Sequence, residues 1–278
     1  MSNPNETPPA VGFQATWESI LRAPGRGQHV AQLYTHPEFL VRAIGEYTAQ
    51  GLRRGQAVLM VARPAHARAL VRHLEADGIR VTDCTRSGQL AVLDAQDTLT
   101  GLLVDGQPDR ARFQRLIGGA VRAGQAAGDG PVRAFGEMVD LLRRTSLATA
   151  LQLEALWGEL LEAQEIALVC GYSIDTFAPS AYDGLVQQVL AAHSHLIPVD
   201  DYARLDRAVE HAYAEVFGSG RDAVFLRREF LAHYARPAAM PDAQAAILAA
   251  REFVPVAAAD ALLERVRYHY ENPAATAA

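Results

Sequence analysis

The sequence predicts a three-layer α/β domain on a mostly parallel sheet, with a helical appendage at its C-terminal end. Three observations carry that expectation. Apolar runs such as residues 57–62 and 90–93 are continuous rather than alternating, as in strands covered on both faces. The segments between them repeat apolar residues at helical spacing, so strand and helix alternate, which calls for parallel pairing. Beyond Pro198 the strand signal stops, and helical stripes punctuated by Pro237, Pro241 and Pro255 take over.

Each element follows in order. Residues 1–25 read as a polar, proline-bearing tail and a short amphipathic helix carrying Phe13, Trp17, Ile20 and Leu21, ended by the Pro24-Gly25-Arg26-Gly27 break. A strand is expected over 30–34, then a helix with Phe39, Ala43, Ile44 and Tyr47 on one face. The strand at 57–62 precedes a helix over 65–76 with Leu70, Val71 and Leu74 inward, and the run at 90–93 precedes helices over 97–104 and 109–127. Next comes a strand ending at Gly136, a helix start at Glu137, a long helix striped by Leu153, Leu156, Trp157 and Leu160, and a strand ending at Tyr172. Residues 183–193 are expected to be helical. The α/β domain is therefore bounded at 26–198. The region 199–278 carries helical stripes through Leu205, Val209, Ala212, Val216 and Phe217, then Phe225, Leu231 and Tyr234, then Ile247, and finally Leu262, Leu263, Val266 and Tyr270.

Composition narrows the function classes. Half of the 278 residues are hydrophobic, enough for a real core. A net charge of -6 leaves no basic footprint of the kind that phosphate backbones require, so direct nucleic-acid binding is not expected. No window reaches the roughly 18 apolar residues of a membrane helix, and the N-terminus lacks a signal pattern, so a cytoplasmic protein is expected. All 26 basic residues are arginine, which removes the lysine of a phosphate-binding P-loop. The serine-hydrolase elbow, the zinc-protease helix motif and the dinucleotide glycine fingerprint are also missing from the sequence.

Ligands of parallel sheets bind beyond the carboxyl ends of the strands, where loops converge and helix N-termini point inward. That places Tyr34, His36, Arg63, Asp94, Glu137 and Tyr172 as candidate ligand-binding residues. Glu137 supports two readings, a ligand or cation contact and a carboxylate that stabilises a helix start by about 0.3–1 kcal/mol. Asp140 has Arg143 and Arg144 three and four residues on, the spacing of a structural ion pair. Glu154 flanks the Leu-Trp stripe with its role open, as is that of His29. Cys170 at a buried strand end reads first as a small hydrophobe. With His193 and His195 it makes a conceivable zinc set, but only if the histidine pair is extended, since helical backbone would splay the rings by roughly 200°. No metal or cofactor is expected on this evidence, because the ligand spacing of a known metal motif is missing.

The stretch VRAFGEMVDLLRRTSLATALQLEALWGELLEAQEIALVCGYS, with HVAQLY before it and AHSHLIP after it, resembles the MEDS domain, the methanogen/methylotroph, DcmR-type sensory domain. The resemblance runs from about His29 to Pro198. It implies a RecA-like or KaiC-like arrangement without the phosphate loop, and it places the Phe-Gly-Glu-Met run at the family's most recognisable motif and His29 at its opening histidine. It further implies a non-catalytic sensory and signal-transduction module that binds a small molecule or a signalling protein, and charge and hydropathy add the expectation of no contact to membrane or nucleic acid. Such domains are usually joined to kinase, PAS or transcription-regulating regions, whereas this chain shows none, so a stand-alone sensor or adaptor is the natural version, with a homodimer left open. Three alternatives remain: a metal-dependent enzyme using Glu137, Asp94 or the His/Cys set, a degenerate nucleotide binder in which Arg63 or helix N–H groups replace the missing lysine, and a purely structural oligomerising module.

Overall fold

Six strands condense into one all-parallel sheet because their side chains are apolar on both faces. The computed structural model describes residues 16–273 apart from 219. Contacts divide the chain into two compact units, Trp17–Asp201 and one formed mainly by the segment from Tyr202 onward.

The first unit begins with α1 (Trp17–Arg22), β1 (His29–Leu33), α2 (Pro37–Arg53), β2 (Val58–Ala62), α3 (Pro64–Ala76), α4 (Val81–Arg86) and β3 (Leu90–Asp94). It continues with α5 (Ala95–Leu102), the short strands β4 (Leu103–Val104) and β5 (Gln107–Pro108), and α6 (Arg110–Ala127). The remainder is β6 (Val132–Gly136), α7 (Met138–Arg143), α8 (Leu147–Ala163), β7 (Ile166–Tyr172), α9 (Leu185–Ala192) and β8 (His195–Ile197). The sheet order is β3-β2-β6-β7-β1-β8. The four inner strands are buried along their whole length, while β3, on the edge, is half exposed. Helices α2 and α3 cover one face, and α6, α8 and α9 cover the other.

Local chemistry fixes the helix starts. Pro37 and Pro64 open α2 and α3. Asp94, Asp109 and Ser146 cap α5, α6 and α8 by accepting backbone N–H bonds. Only residues 34–36 separate β1 from α2. A turn that short leaves no room for a long phosphate-cradling loop. Core packing includes the edge-to-face contact of Phe113 with Trp157, centroids 5.2 Å apart. Arg133, in the middle of this core, is 1 % exposed and donates to the carbonyls of Leu21, Tyr47 and Arg22 and to Gln56 Oε1. Gly51 makes room for it, since a Cβ there would lie 2.6 Å from Arg133 Cδ.

Several expected elements differ in detail. The helix expected over 97–104 starts at Ala95 behind its Asp94 cap and stops at Leu102, because residues 103–104 pair with 107–108. The helix expected over 183–193 starts at Leu185, preceded by a 3-10 turn at Pro179–Tyr182. α4 buries none of its residues and so carries no apolar periodicity. β8 is only three residues long and pairs with β1 alone. Phe13 lies outside the described residues.

The second unit holds α10 (Tyr202–Phe217), α11 (Arg221–His233), α12 (Asp242–Phe253) and α13 (Val256–Glu271). Residues Ala243–Ala250 of α12 are all buried, which places that helix centrally. Tyr213 donates to the carbonyl of Ala246 at 2.7 Å, and Glu215 pairs with Arg265 and His269. Phe225, expected to face inward, is instead exposed beside Val224. Among the described residues, no helix is long and apolar enough to cross a membrane.

Candidate functional site

Four inner strands are each followed by a polar residue: Tyr34 after β1, Arg63 after β2, Glu137 after β6 and Ser173 after β7. Parallel pairing brings these positions to one edge of the sheet, where Glu137 becomes a hub. Its fully buried carboxylate accepts from the Tyr34 hydroxyl at 3.1 Å and from the Arg63 backbone N–H at 2.9 Å, and His66 Nδ1 lies 2.8 Å from Oε1. The Arg63 guanidinium spans the cluster, with Nε 3.8 Å from Glu137, NH1 3.4 Å from the Tyr34 oxygen and NH2 paired to Asp140. Asp140, also fully buried, takes Arg143 Nε at 2.6 Å and the Ser173 N–H at 3.1 Å. Arg143 also donates to the Ser173 carbonyl at 2.6 Å. The Asp140–Arg143 pair thus forms at the spacing expected, and it carries Arg63 and Ser173 besides.

Burial and the Glu137 charge push the Tyr34 phenol well above its ordinary range, so it stays a donor. For Arg63, burial works against the charge while the Asp140 and Glu137 carboxylates favour it, and the guanidinium holds its proton more firmly than usual. The Arg63 side chain keeps 23 % exposure, and its Nε, though buried, makes no hydrogen bond.

A second polar cluster lies on the other face. Strand alternation puts His29, Cys170 and Tyr172 on the face covered by α8 and α9, where Glu154 points in from α8 and His193 follows the last turn of α9. His29 Nε2 is 3.4 Å from Cys170 Sγ and 3.5 Å from Glu154 Oε2, and His193 Nε2 is 3.8 Å from Glu154 Oε1. The two imidazoles lie side by side, centroids 3.9 Å apart. The Tyr172 hydroxyl donates to Glu154 Oε1. Burial lowers His29 to about 4 and His193 well below its ordinary value, raises Glu154 to about 7, and lifts the Cys170 thiol out of its usual range. Elsewhere, an apolar cavity of ≈ 350 Å³ opens between β3 and α6, lined by Val58, Leu90, Val92, Ala120 and Val132 among others.

Both clusters fall within residues 28–194, the span matched by the model of the methanogen/methylotroph, DcmR sensory domain, which is more than half of the chain. The chain belongs to the MEDS family. A search of curated proteins finds no match to it.

Within the MEDS domain, Tyr34, Arg63 and Glu137 converge, joined by His66 and Asp140. Asp94 ends β3 beside β2, and its Oδ1 is engaged in capping α5 at 2.8 and 2.9 Å. His36 is exposed and makes no cap bond at the start of α2. Tyr172 turns away from the Glu137 hub to Glu154 because it is the last residue of β7 on the opposite face. Of the set Cys170, His193 and His195, the MEDS domain brings the first two together. His195, on β8, has Nδ1 against Ser194 Oγ at 2.9 Å, and His29 and Glu154 join Cys170 and His193 in its place. Helical spacing held a signal for Glu154, which lies three residues before Trp157 and four after Ala150, both buried. The approach of His29 depends on the β1–β7 register, which sequence patterns do not encode.

Proposed function

We propose that this MEDS protein is a non-catalytic sensory module in which a small polar molecule engages the strand-end network. The observation that carries this reading is Arg63: a partly exposed guanidinium that contacts Tyr34, Glu137 and Asp140 at once. A ligand acceptor group drawing Arg63 outward would leave two buried carboxylates short of a partner. The network then repacks across the ends of β1, β2 and β6, and a sensor needs such an element with two arrangements. Truncating Arg63 without a ligand costs on the order of 2 kcal/mol, because Glu137 loses its arginine and Asp140 keeps only Arg143 and Arg144. The family's sensory role supports the same reading. The output passes to a signalling protein, and the exposed Val224 and Phe225 on α11 offer it apolar surface.

The test is a thermal-shift screen of small carboxylates, alcohols and amides against the full chain and Arg63→Met. A compound that stabilises the wild type and not Arg63→Met supports the proposal. Equal stabilisation of both proteins rejects Arg63 as the contact.

A further inference from the structure

We propose that His29, Glu154, Cys170 and His193 form a closed tetrahedral site for a divalent metal ion of the zinc class. The inference is independent of the strand-end reading, since the four residues lie on the opposite face of the sheet. Geometry comes first. One donor atom from each residue lies within 4.8 Å of all the others. Zinc bonds of about 2.0–2.3 Å in tetrahedral array give donor–donor edges of roughly 3.3–3.7 Å. The separations of 3.4 and 3.5 Å from His29 Nε2 to Cys170 Sγ and to Glu154 Oε2 match those edges, and His193 Nε2 lies 3.8 Å from the other oxygen of the same carboxylate.

Unsatisfied atoms make the second argument. Glu154 Oε2 and His193 Nε2 are both buried without a hydrogen-bond partner, and both face into the cluster. His193 Nδ1 lies 2.6 Å from the carbonyl of Val189, which requires the proton on Nδ1 and leaves the Nε2 lone pair facing inward. His29 likewise has a hydrogen bond to the backbone at Ala192. A ligating histidine is normally oriented by such an outer bond. Tyr172 performs the same service for Glu154, occupying Oε1 and leaving Oε2 as the metal-facing oxygen.

Charge makes the third. Two neutral imidazoles, one thiolate and one carboxylate together carry two negative charges, which a dication cancels. Binding therefore forms four metal–ligand bonds, breaks the Cys170 S–H and releases that proton to solvent, together with the Glu154 proton when that carboxyl is in its acid form. Nothing is oxidised or reduced. Imidazole, thiolate and carboxylate together suit Zn²⁺ better than Mg²⁺ or Ca²⁺, which favour oxygen. Four protein ligands leave no open position, so the ion would tie β1, β7, α8 and the end of α9 together rather than activate water.

The full chain is unfolded with a chelator present, freed of metal, and refolded with Zn²⁺ or Co²⁺ alone. The expected results are one Zn²⁺ per chain by elemental analysis, and for Co²⁺ the visible bands of a tetrahedral ion with a thiolate charge-transfer band. That band persists in Cys84→Ser and is lost in Cys170→Ser. His193→Gln weakens Zn²⁺ binding by more than the roughly 10–100-fold typical of removing a supporting partner. Refolded wild type that takes up neither ion overturns the proposal, as does a Co²⁺ spectrum unchanged by Cys170→Ser. Where a ligand variant does not refold, the wild-type and Cys84→Ser spectra decide the matter.

Discussion

His193 Nε2 lies 3.8 Å from a carboxylate oxygen of Glu154, while its Nδ1 is held 2.6 Å from the carbonyl of Val189. One ring thus joins the end of α9 to the inner face of α8, across the sheet residues His29 and Cys170. A metal at that point binds the folded state and adds to its stability by mass action. Free metal at 100 times its dissociation constant contributes about 2.7 kcal/mol. At roughly 2–4 °C per kcal/mol for a chain of this size, removing the metal lowers Tm by about 5–10 °C. Calorimetry of the metal-loaded and metal-free chain checks this, and identical melting curves would contradict it.

The metal-free chain should lose stability on acidification. Burial sets His29 in the folded state at about 4, below its ordinary 6.5. The unfolded chain therefore takes up a proton first, and the stability present above pH 6.5 is lost as the pH falls towards 4, by on the order of 3 kcal/mol. Glu154 acts in the opposite sense. Its folded value near 7 exceeds the ordinary 4.5, so its contribution is complete below pH 4.5 and lost as the pH rises through 7. Glu154→Gln removes that opposing trend. Urea midpoints between pH 7 and 5 should then fall more steeply for Glu154→Gln than for wild type.

Arg133→Met should destabilise the fold by about 3–5 kcal/mol. The side chain has nearly the right length, but the buried carbonyls of Leu21 and Tyr47 lose the guanidinium, while the Arg22 carbonyl keeps its bond from Arg54. Gly51→Ala should act through the same residue, because the added Cβ meets Arg133 Cδ at 2.6 Å. Denaturant unfolding of the two single variants and the double variant checks the coupling: additive losses would contradict a shared mechanism.

Much of the α/β layer was legible because buried parallel strands leave uninterrupted apolar runs, as at Val58–Ala62 and Ile166–Tyr172. α4 and β8 were not, since one buries nothing and the other spans three residues with a partner on one side. The strand-end rule pointed to Tyr34, Arg63 and Glu137, whose side chains meet. It also pointed to Tyr172, where alternation along β7 sends the ring to the face that Cys170 occupies. That parity could be read from the strand itself. The meeting of Cys170 with His29, Glu154 and His193 could not, because it needs the pairing of β1 with β7 and the packing of α8. Arg133 was hidden for a related reason: a basic residue in a strand reads as an exposed position, and only the close approach of α2 at Gly51 reveals its buried partners.

Calorimetric titration of a stabilising compound into defined variants tests Arg63 as the point at which the strand-end network meets a ligand. Asp94→Asn serves as the comparison, since that carboxylate is engaged in capping α5. Arg63→Met should weaken binding by at least about 10-fold, the loss of roughly 1.4 kcal/mol expected for one charged hydrogen bond, while Asp94→Asn should leave it within about 2-fold. Binding unchanged in Arg63→Met, or lost in Asp94→Asn alone, would contradict that role.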